Sequence, residues 1–92
     1  SPADQFDATE DVTRMLMAVY ETRQKFGVSH IVDVLRGSQN QRVLQFRHQE
    51  LPCYGTGAHL SHDDWISIAR QLVHLGFLTQ DVTNYFAVKL TP

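Results

Sequence analysis

Ninety-two residues, 42% of them apolar and 20% charged, describe one small folded domain rather than a disordered tail. No apolar run approaches the ~20 residues that a membrane span needs, and the one cysteine, Cys53, excludes an internal disulfide or an all-cysteine zinc site within this chain. A net charge of −2 excludes a broad basic surface of the kind nucleic-acid-binding domains often carry. The distribution qualifies that exclusion. Residues 1–11 hold Asp4, Asp7, Glu10 and Asp11 with no base, whereas residues 34–49 hold Arg36, Arg42, Arg47 and His48 with no acid. The chain opens on Ser-Pro-Ala without a methionine, so the expectation is a piece of a longer polypeptide.

Residues 1–8 form a polar lead-in, and 9–92 carry the pattern of a folded unit. Asp7 and Glu10 offer a capping pair, after which Val12, Met15, Leu16, Val19 and Tyr20 mark one helical face. This first helix is predicted to end near Lys25, at the Phe26-Gly27 break. A shorter helix follows, with Ser29 as cap and Val28, Ile31, Val32 and Leu35 facing inward, stopped by Gly37. A helical turn from Gln39 to Phe46 is predicted to hold to the core through Val43, Leu44 and Phe46. Leu51-Pro52 and Gly55-Thr56-Gly57 then force a loop.

The stretch Leu60–Phe77 has the strongest helical pattern. Ser61 is the cap, Asp64 completes a capping box, and Leu60 with Trp65 makes a hydrophobic staple. Trp65, Ile68, Ala69, Leu72 and Val73 form one stripe, and Gly76 supplies a left-handed stop. Phe77-Leu78-Thr79 and Phe86–Leu90 are then predicted strands joined by a hairpin loop from Gln80 to Tyr85, with Phe86, Val88 and Leu90 alternating on one face. Helix, helix, short helical turn, long helix and hairpin is the order of a winged helix, an α+β fold that is mostly α, with three main helices, a short intervening helical turn and a C-terminal β-hairpin wing.

In a helix-turn-helix the long helix normally enters the major groove by its N-terminal end. Here that end carries Asp63 and Asp64, and carboxylates repel phosphates and base edges alike. The better anion site is Arg36-Gly37-Ser38-Gln39-Asn40-Gln41-Arg42, where turn amides, a hydroxyl and two guanidinia suit phosphate oxygens; the alternative is a solvated polar turn. Gly55-Thr56-Gly57 either lets backbone approach a phosphate or serves a tight turn, and it matches no Walker pattern. His59, His62, Asp63 and Asp64 are of metal-ligating type, but capping and the helix dipole account for the acids, so no metal site is expected. Cys53 reads as a buried thiol, and Trp65 as core. His30 and His74 read as packing or surface residues, so no catalytic residue is expected. At the hairpin tip Phe86 is expected to pack inward. Tyr85 either stacks on an unpaired base or covers a sheet edge.

The strings FGVSHIVDVLRGSQNQR, YGTG, SHDDWISIARQLVHLGFL and a closing KLTP resemble, in order, the RecQ C-terminal domain of RecQ-family DNA helicases, closest to bacterial members. The resemblance covers the chain from about Phe6 onward. It implies a winged helix attached to a helicase core and a zinc-binding module, engaging duplex or branched DNA in recombination and repair. ATP, magnesium and zinc would belong to the parent protein, a 3'-5' helicase, and no cofactor or enzymatic activity to this fragment. The implied partners are DNA, the helicase core and zinc module in cis, and other repair proteins, with no membrane; the implied location is the bacterial cytoplasm, at the nucleoid. Carried over residue by residue, the RGS…R segment gives Arg36, Ser38 and Arg42 as phosphate contacts, with Thr56 of the Gly-Thr-Gly turn beside them. Some relatives have a lysine or arginine just after that turn; this chain has Ala58-His59, leaving what a partly protonated His59 offers. Some eukaryotic relatives have a longer wing whose aromatic tip acts as a strand-separating wedge; the short loop here argues against that role for Tyr85, which stays a candidate DNA contact while strand separation falls to the core. The rival reading is a protein-docking winged helix with little DNA affinity.

Overall fold

The computed structural model describes residues 8–92; Asp7, the predicted first cap, lies outside the described residues. The order is α1 (Ala8–Glu21), α2 (Val28–Leu35), α3 (Gln41–Gln45), a 3₁₀ turn (His48–Glu50), α4 (His62–His74), then strands β1 (Leu78–Asp81) and β2 (Ala87–Leu90). This is the predicted winged helix. The two strands pair antiparallel, with Leu78 opposite Leu90 and Asp81 opposite Ala87. The core gathers Met15 and Val19 of α1, Ile31 and Leu35 of α2, Val43 of α3, Trp65 and Leu72 of α4, and Leu78 and Val88 of the wing. No described helix is long and apolar enough to cross a membrane.

Helix ends show what local chemistry decides. α1 stops a turn short of Lys25, because Arg23 and Gln24 swing left-handed (φ 67° and 58°). The Gln24 side chain then becomes a connector, its Oε1 accepting the Leu90 N–H at 2.9 Å. Tyr20, predicted on the apolar face, is 62% exposed; the buried stripe centres on Met15, Ala18 and Val19, and Tyr20 lies one residue, or 100°, past it. α2 begins at Val28 with Gly27 as its N-cap. Ser29, the predicted cap, is therefore already inside the helix, and its hydroxyl lies 3.5 Å from His62 Nε2. In α3 only Val43 is buried, while Leu44 and Phe46, both predicted inward, are 45% and 46% exposed. Five residues are too few to bury more than one row.

α4 follows the sequence closely. Ser61 Oγ accepts the Asp64 N–H at 3.0 Å. At the other end Gly76 adopts φ 88°, and its N–H and that of Phe77 donate to Val73 O and Leu72 O, closing a Schellman motif. The wing departs from its predicted alternation. Tyr85 and Phe86 are both left-handed (φ 54° and 59°), so the chain turns before β2 begins. Phe86 is consequently 57% exposed rather than inward, and Ala87 and Val88 are buried instead. Asp81 anchors the tip: the Thr83 hydroxyl and the Lys89 ammonium hold its carboxyl down at about 2.

The two glycine-bearing segments, separate in the sequence, form one joint. Gly37 (φ 76°) lies against Gly55 so closely that a Cβ on Gly37 would sit 3.3 Å from Gly55 Cα. The Gly55 N–H donates to Val34 O at 3.0 Å and the Gly57 N–H to Leu35 O at 2.7 Å, so the loop satisfies carbonyls at the end of α2. The Tyr54 hydroxyl donates to Gly37 O, 2.8 Å away, and lies 3.0 Å from Ser38 O. The fully buried Trp65 closes the joint from α4, its Nε1–H donating to Gly57 O at 2.7 Å. A Cβ on Gly57 would lie 2.7 Å from Trp65 Cζ2. Gly57→Ala must therefore displace a rigid indole or the loop, and is expected to destabilise the fold by about 1–3 kcal/mol. Urea unfolding measures this; an unchanged midpoint would show that Trp65 does not depend on the missing side chain.

Candidate nucleic-acid interface

Arg36 caps the C-terminal end of α2, and its Nε–H donates to Leu60 O at 2.9 Å, just ahead of α4. Ser38 follows in the turn, its Oγ accepting the Asn40 N–H at 3.2 Å. Asn40 is the cap of α3: its Oδ1 accepts the Val43 N–H and its Nδ2 donates to Asp33. That double anchorage orients the first turn of α3, which carries Arg42. The Arg42 guanidinium lies over the Phe26 ring, with Cζ 5.4 Å from the centroid. Thr56 is exposed and belongs to the loop stitched to this turn; its Oγ1 donates to Cys53 O at 2.7 Å. Arg36, Ser38, Arg42 and Thr56 thus sit on two backbone segments that touch through Gly37 and Gly55.

The amides are less available than the sequence suggested. The N–H groups of Gly37 and Ser38 donate to Val34 O and Asp33 O, and that of Thr56 to Cys53 O. Those of Gly55 and Gly57 are spent on α2. Gly-Thr-Gly is therefore a structural turn whose own amides are not available to an anion.

His59 and Tyr85 stand apart. His59 Nε2–H donates to Asp11 Oδ1 at 2.8 Å, and its ring meets Trp65 edge-on. Asp11 is buried and also receives Arg14 Nη1 at 2.8 Å, so His59 clamps the loop to α1. Tyr85 is 94% exposed at the wing tip, and no hydrogen bond or ring contact among the described residues joins it to the other five. Arg47, third arginine of the acid-free run, is held by Glu50 through Nε at 2.8 Å and Nη2 at 3.1 Å. The exposed start of α4 carries Asp63 and Asp64.

The metal-type cluster does not converge: His59 turns to Asp11 and His62 to Ser29. Among the described residues no three His, Cys, Asp or Glu side chains meet as a metal site requires. Cys53 is buried, and burial together with Glu21 pushes its thiol up to about 12, where it stays protonated. An apolar groove of about 690 Å³ lies past the C-terminal end of α4, bordered by Met17, Tyr20, Leu75 and Phe77. It holds none of the predicted contact residues.

One feature next to Arg42 has no signature in the sequence. His30 of α2 and His48 of the 3₁₀ turn are both buried, with Nε2 and Nδ1 2.8 Å apart. One imidazole donates and the other accepts, so at least the acceptor is neutral, and burial favours the neutral form of both. Phe26 stacks on His30, and Phe46 stacks on His48. Burial, the neighbouring His48 and the Arg42 charge push His30 down to about 4, and burial lowers His48 as well.

A profile of the RQC domain matches residues 2–92. The chain belongs to the RQC domain family. Over 86 residues this RQC domain is 39% identical to a protein named ATP-dependent DNA helicase RecQ from Pasteurella multocida, covering 94% of this chain and 14% of the relative. Over 83 residues it is 35% identical to the Haemophilus influenzae protein of the same name, covering 90% of this chain and 13% of that one. A plant relative, ATP-dependent DNA helicase Q-like 4B of Arabidopsis thaliana, is 35% identical over 72 residues, 77% of this chain and 6% of the relative. The RQC chain thus spans about a seventh of the length of its bacterial relatives.

The histidine pair makes stability depend on pH in a defined direction. The folded RQC domain holds His30 neutral down to about 4, whereas an unfolded histidine protonates near 6.5. The unfolded state therefore binds more protons between these values, and stability is present in full above pH 6.5 and falls as pH drops towards 4. A thermal-melt series from pH 7 to 4 should show this fall, and replacing both histidines with phenylalanine should flatten it. An equally steep fall in that variant would place the acid sensitivity elsewhere.

Proposed function

We propose that this RQC domain is the DNA-gripping accessory domain of an ATP-dependent RecQ-type helicase, acting in recombination and repair. In this reading residues 9–92 form one unit that holds duplex or junction DNA by backbone phosphates, with little preference for sequence. The observation that carries it is the pre-formed arginine turn. Arg36 and Arg42 flank an internally hydrogen-bonded segment that carries Ser38 and touches the loop of Thr56 through Gly37 and Gly55, while Asp63 and Asp64 make the end of α4 a poor reader of bases. His59, tied to Asp11, contributes at most its second ring nitrogen. Tyr85, exposed at the tip, offers a stacking face to an unpaired base.

ATP hydrolysis and translocation, in the 3'-5' direction, fall in this reading to the rest of the parent protein, as do magnesium and zinc. The helicase core and zinc module would be partners in cis, with other repair proteins as further partners, in the bacterial cytoplasm at the nucleoid. A protein-docking role is favoured by a different observation, the exposed apolar groove beside α1.

Fluorescence anisotropy on a labelled forked duplex separates these readings. Replacing Arg36 and Arg42 together with alanine should weaken binding about tenfold or more, equally for unrelated sequences. It should also reduce the slope of log affinity against log salt by roughly two, one for each lost phosphate contact. If the double variant binds the fork as well as the parent chain, the phosphate grip is wrong; if the parent chain does not bind DNA at physiological salt, the docking role takes its place.

A further inference from the structure

Phe26 sits where three parts of the domain meet. Its carbonyl accepts the Val88 N–H of β2 at 2.8 Å. Its ring stacks on His30 of α2, with centroids 4.5 Å apart and planes at 27°, and meets Phe46 edge-on at 4.9 Å. Arg42, on α3, lies over the same ring. One residue therefore touches the wing through its main chain and the candidate phosphate-holding arginine through its side chain.

The chemistry of a guanidinium gives that arrangement a use. Its flat face is attracted to an aromatic ring, while all its N–H donors point outward in the plane of the group. Seating on Phe26 occupies the face and leaves the donor edge for a phosphate. A solvated arginine must give up rotamer freedom when it grips a ligand, and one already seated gives up less. The backing is firm: His30 and His48 are locked to each other behind the ring, and burial favours the neutral form of both, so the seat adds no cation to repel Arg42.

We propose that Phe26 is a positioning residue for DNA binding, pre-seating Arg42 for a backbone phosphate and fixing that arginine relative to the wing. The proposal rests on the phosphate-grip reading above. It gives the corner between α1 and α2 a role in binding although Phe26 itself, 8% exposed, touches no ligand.

A double-mutant cycle tests it by anisotropy on the forked duplex. Arg42→Ala should weaken binding several-fold in the parent chain, but by a factor about three smaller in a Phe26→Leu background, which is comparable to the ordering cost that a pre-seated side chain avoids on binding. Phe26→Tyr keeps an aromatic face and should restore the full effect of Arg42→Ala. If Arg42→Ala costs the same factor with Phe or Leu at 26, the positioning role is overturned while the phosphate grip stands. If Arg42→Ala costs nothing in the parent chain, the grip at Arg42 fails, and the role built on it fails too. A second measurement does not depend on whether Phe26→Leu folds. In the unsubstituted chain without DNA, ring current from Phe26 should shift the Arg42 δ-methylene protons upfield; random-coil shifts there would overturn the proposal.

Discussion

The joint between the end of α2 and the Gly55-Thr56-Gly57 loop governs the rest of the domain. The last carbonyls of a helix lack intrahelical partners, and buried ones must find donors elsewhere. Here Val34 and Leu35 find them in the Gly55 and Gly57 amides, and the Gly57 carbonyl in turn takes the Trp65 indole N–H. The end of α2, the glycine loop and α4 are thereby locked into one geometry. The same bonds limit the chemistry of the candidate interface: amides committed to α2 cannot cradle an anion, so in the proposed function phosphate contacts are made by side chains, Arg36 and Arg42 first.

Charge placement explains how a domain of net charge −2 can present a cationic spot. Several bases are matched close by: Arg14 with Asp11, Arg47 with Glu50, Lys89 with Asp81. The exposed Arg47–Glu50 pair adds little stability, but all three pairs cancel local field. Arg36 and Arg42 instead bond to a carbonyl and an aromatic face, which orient them without neutralising them. The acids at the start of α4 stabilise that helix through its dipole and give it a charge that repels a polyanion. In the proposed function the short turn is therefore favoured over the helix that usually reads bases.

Much of this architecture is legible in the sequence, because periodicity and capping report on local structure. Ser61, Gly76 and the Trp65–Leu72 stripe mark α4 with little error, and the order of elements follows from such signals. The departures have separate physical causes. The early end of α1 and the exposure of Phe86 follow from left-handed residues other than glycine, where the backbone turns without a sequence marker. Tyr20 lies at the edge of the α1 stripe, where periodicity alone does not say how far the core reaches, and the inward pattern of Leu44 and Phe46 does not reveal that a five-residue helix buries one row. At the candidate interface, Arg36, Ser38 and Arg42 could be named from a short motif. The seat of Arg42 on Phe26 and the His30–His48 bond could not, since partners sixteen and eighteen residues apart leave no periodic trace.

In the proposed function DNA meets the arginine turn and not the long helix. Amide chemical-shift mapping of the ¹⁵N-labelled chain, titrated with a forked duplex at moderate salt, tests it most directly. The largest shifts are expected from Arg36 to Arg42 and around Thr56, with the exposed face of α4 from Asp63 to Arg70 nearly unmoved. Largest shifts along that α4 face, with the arginine turn silent, would contradict it.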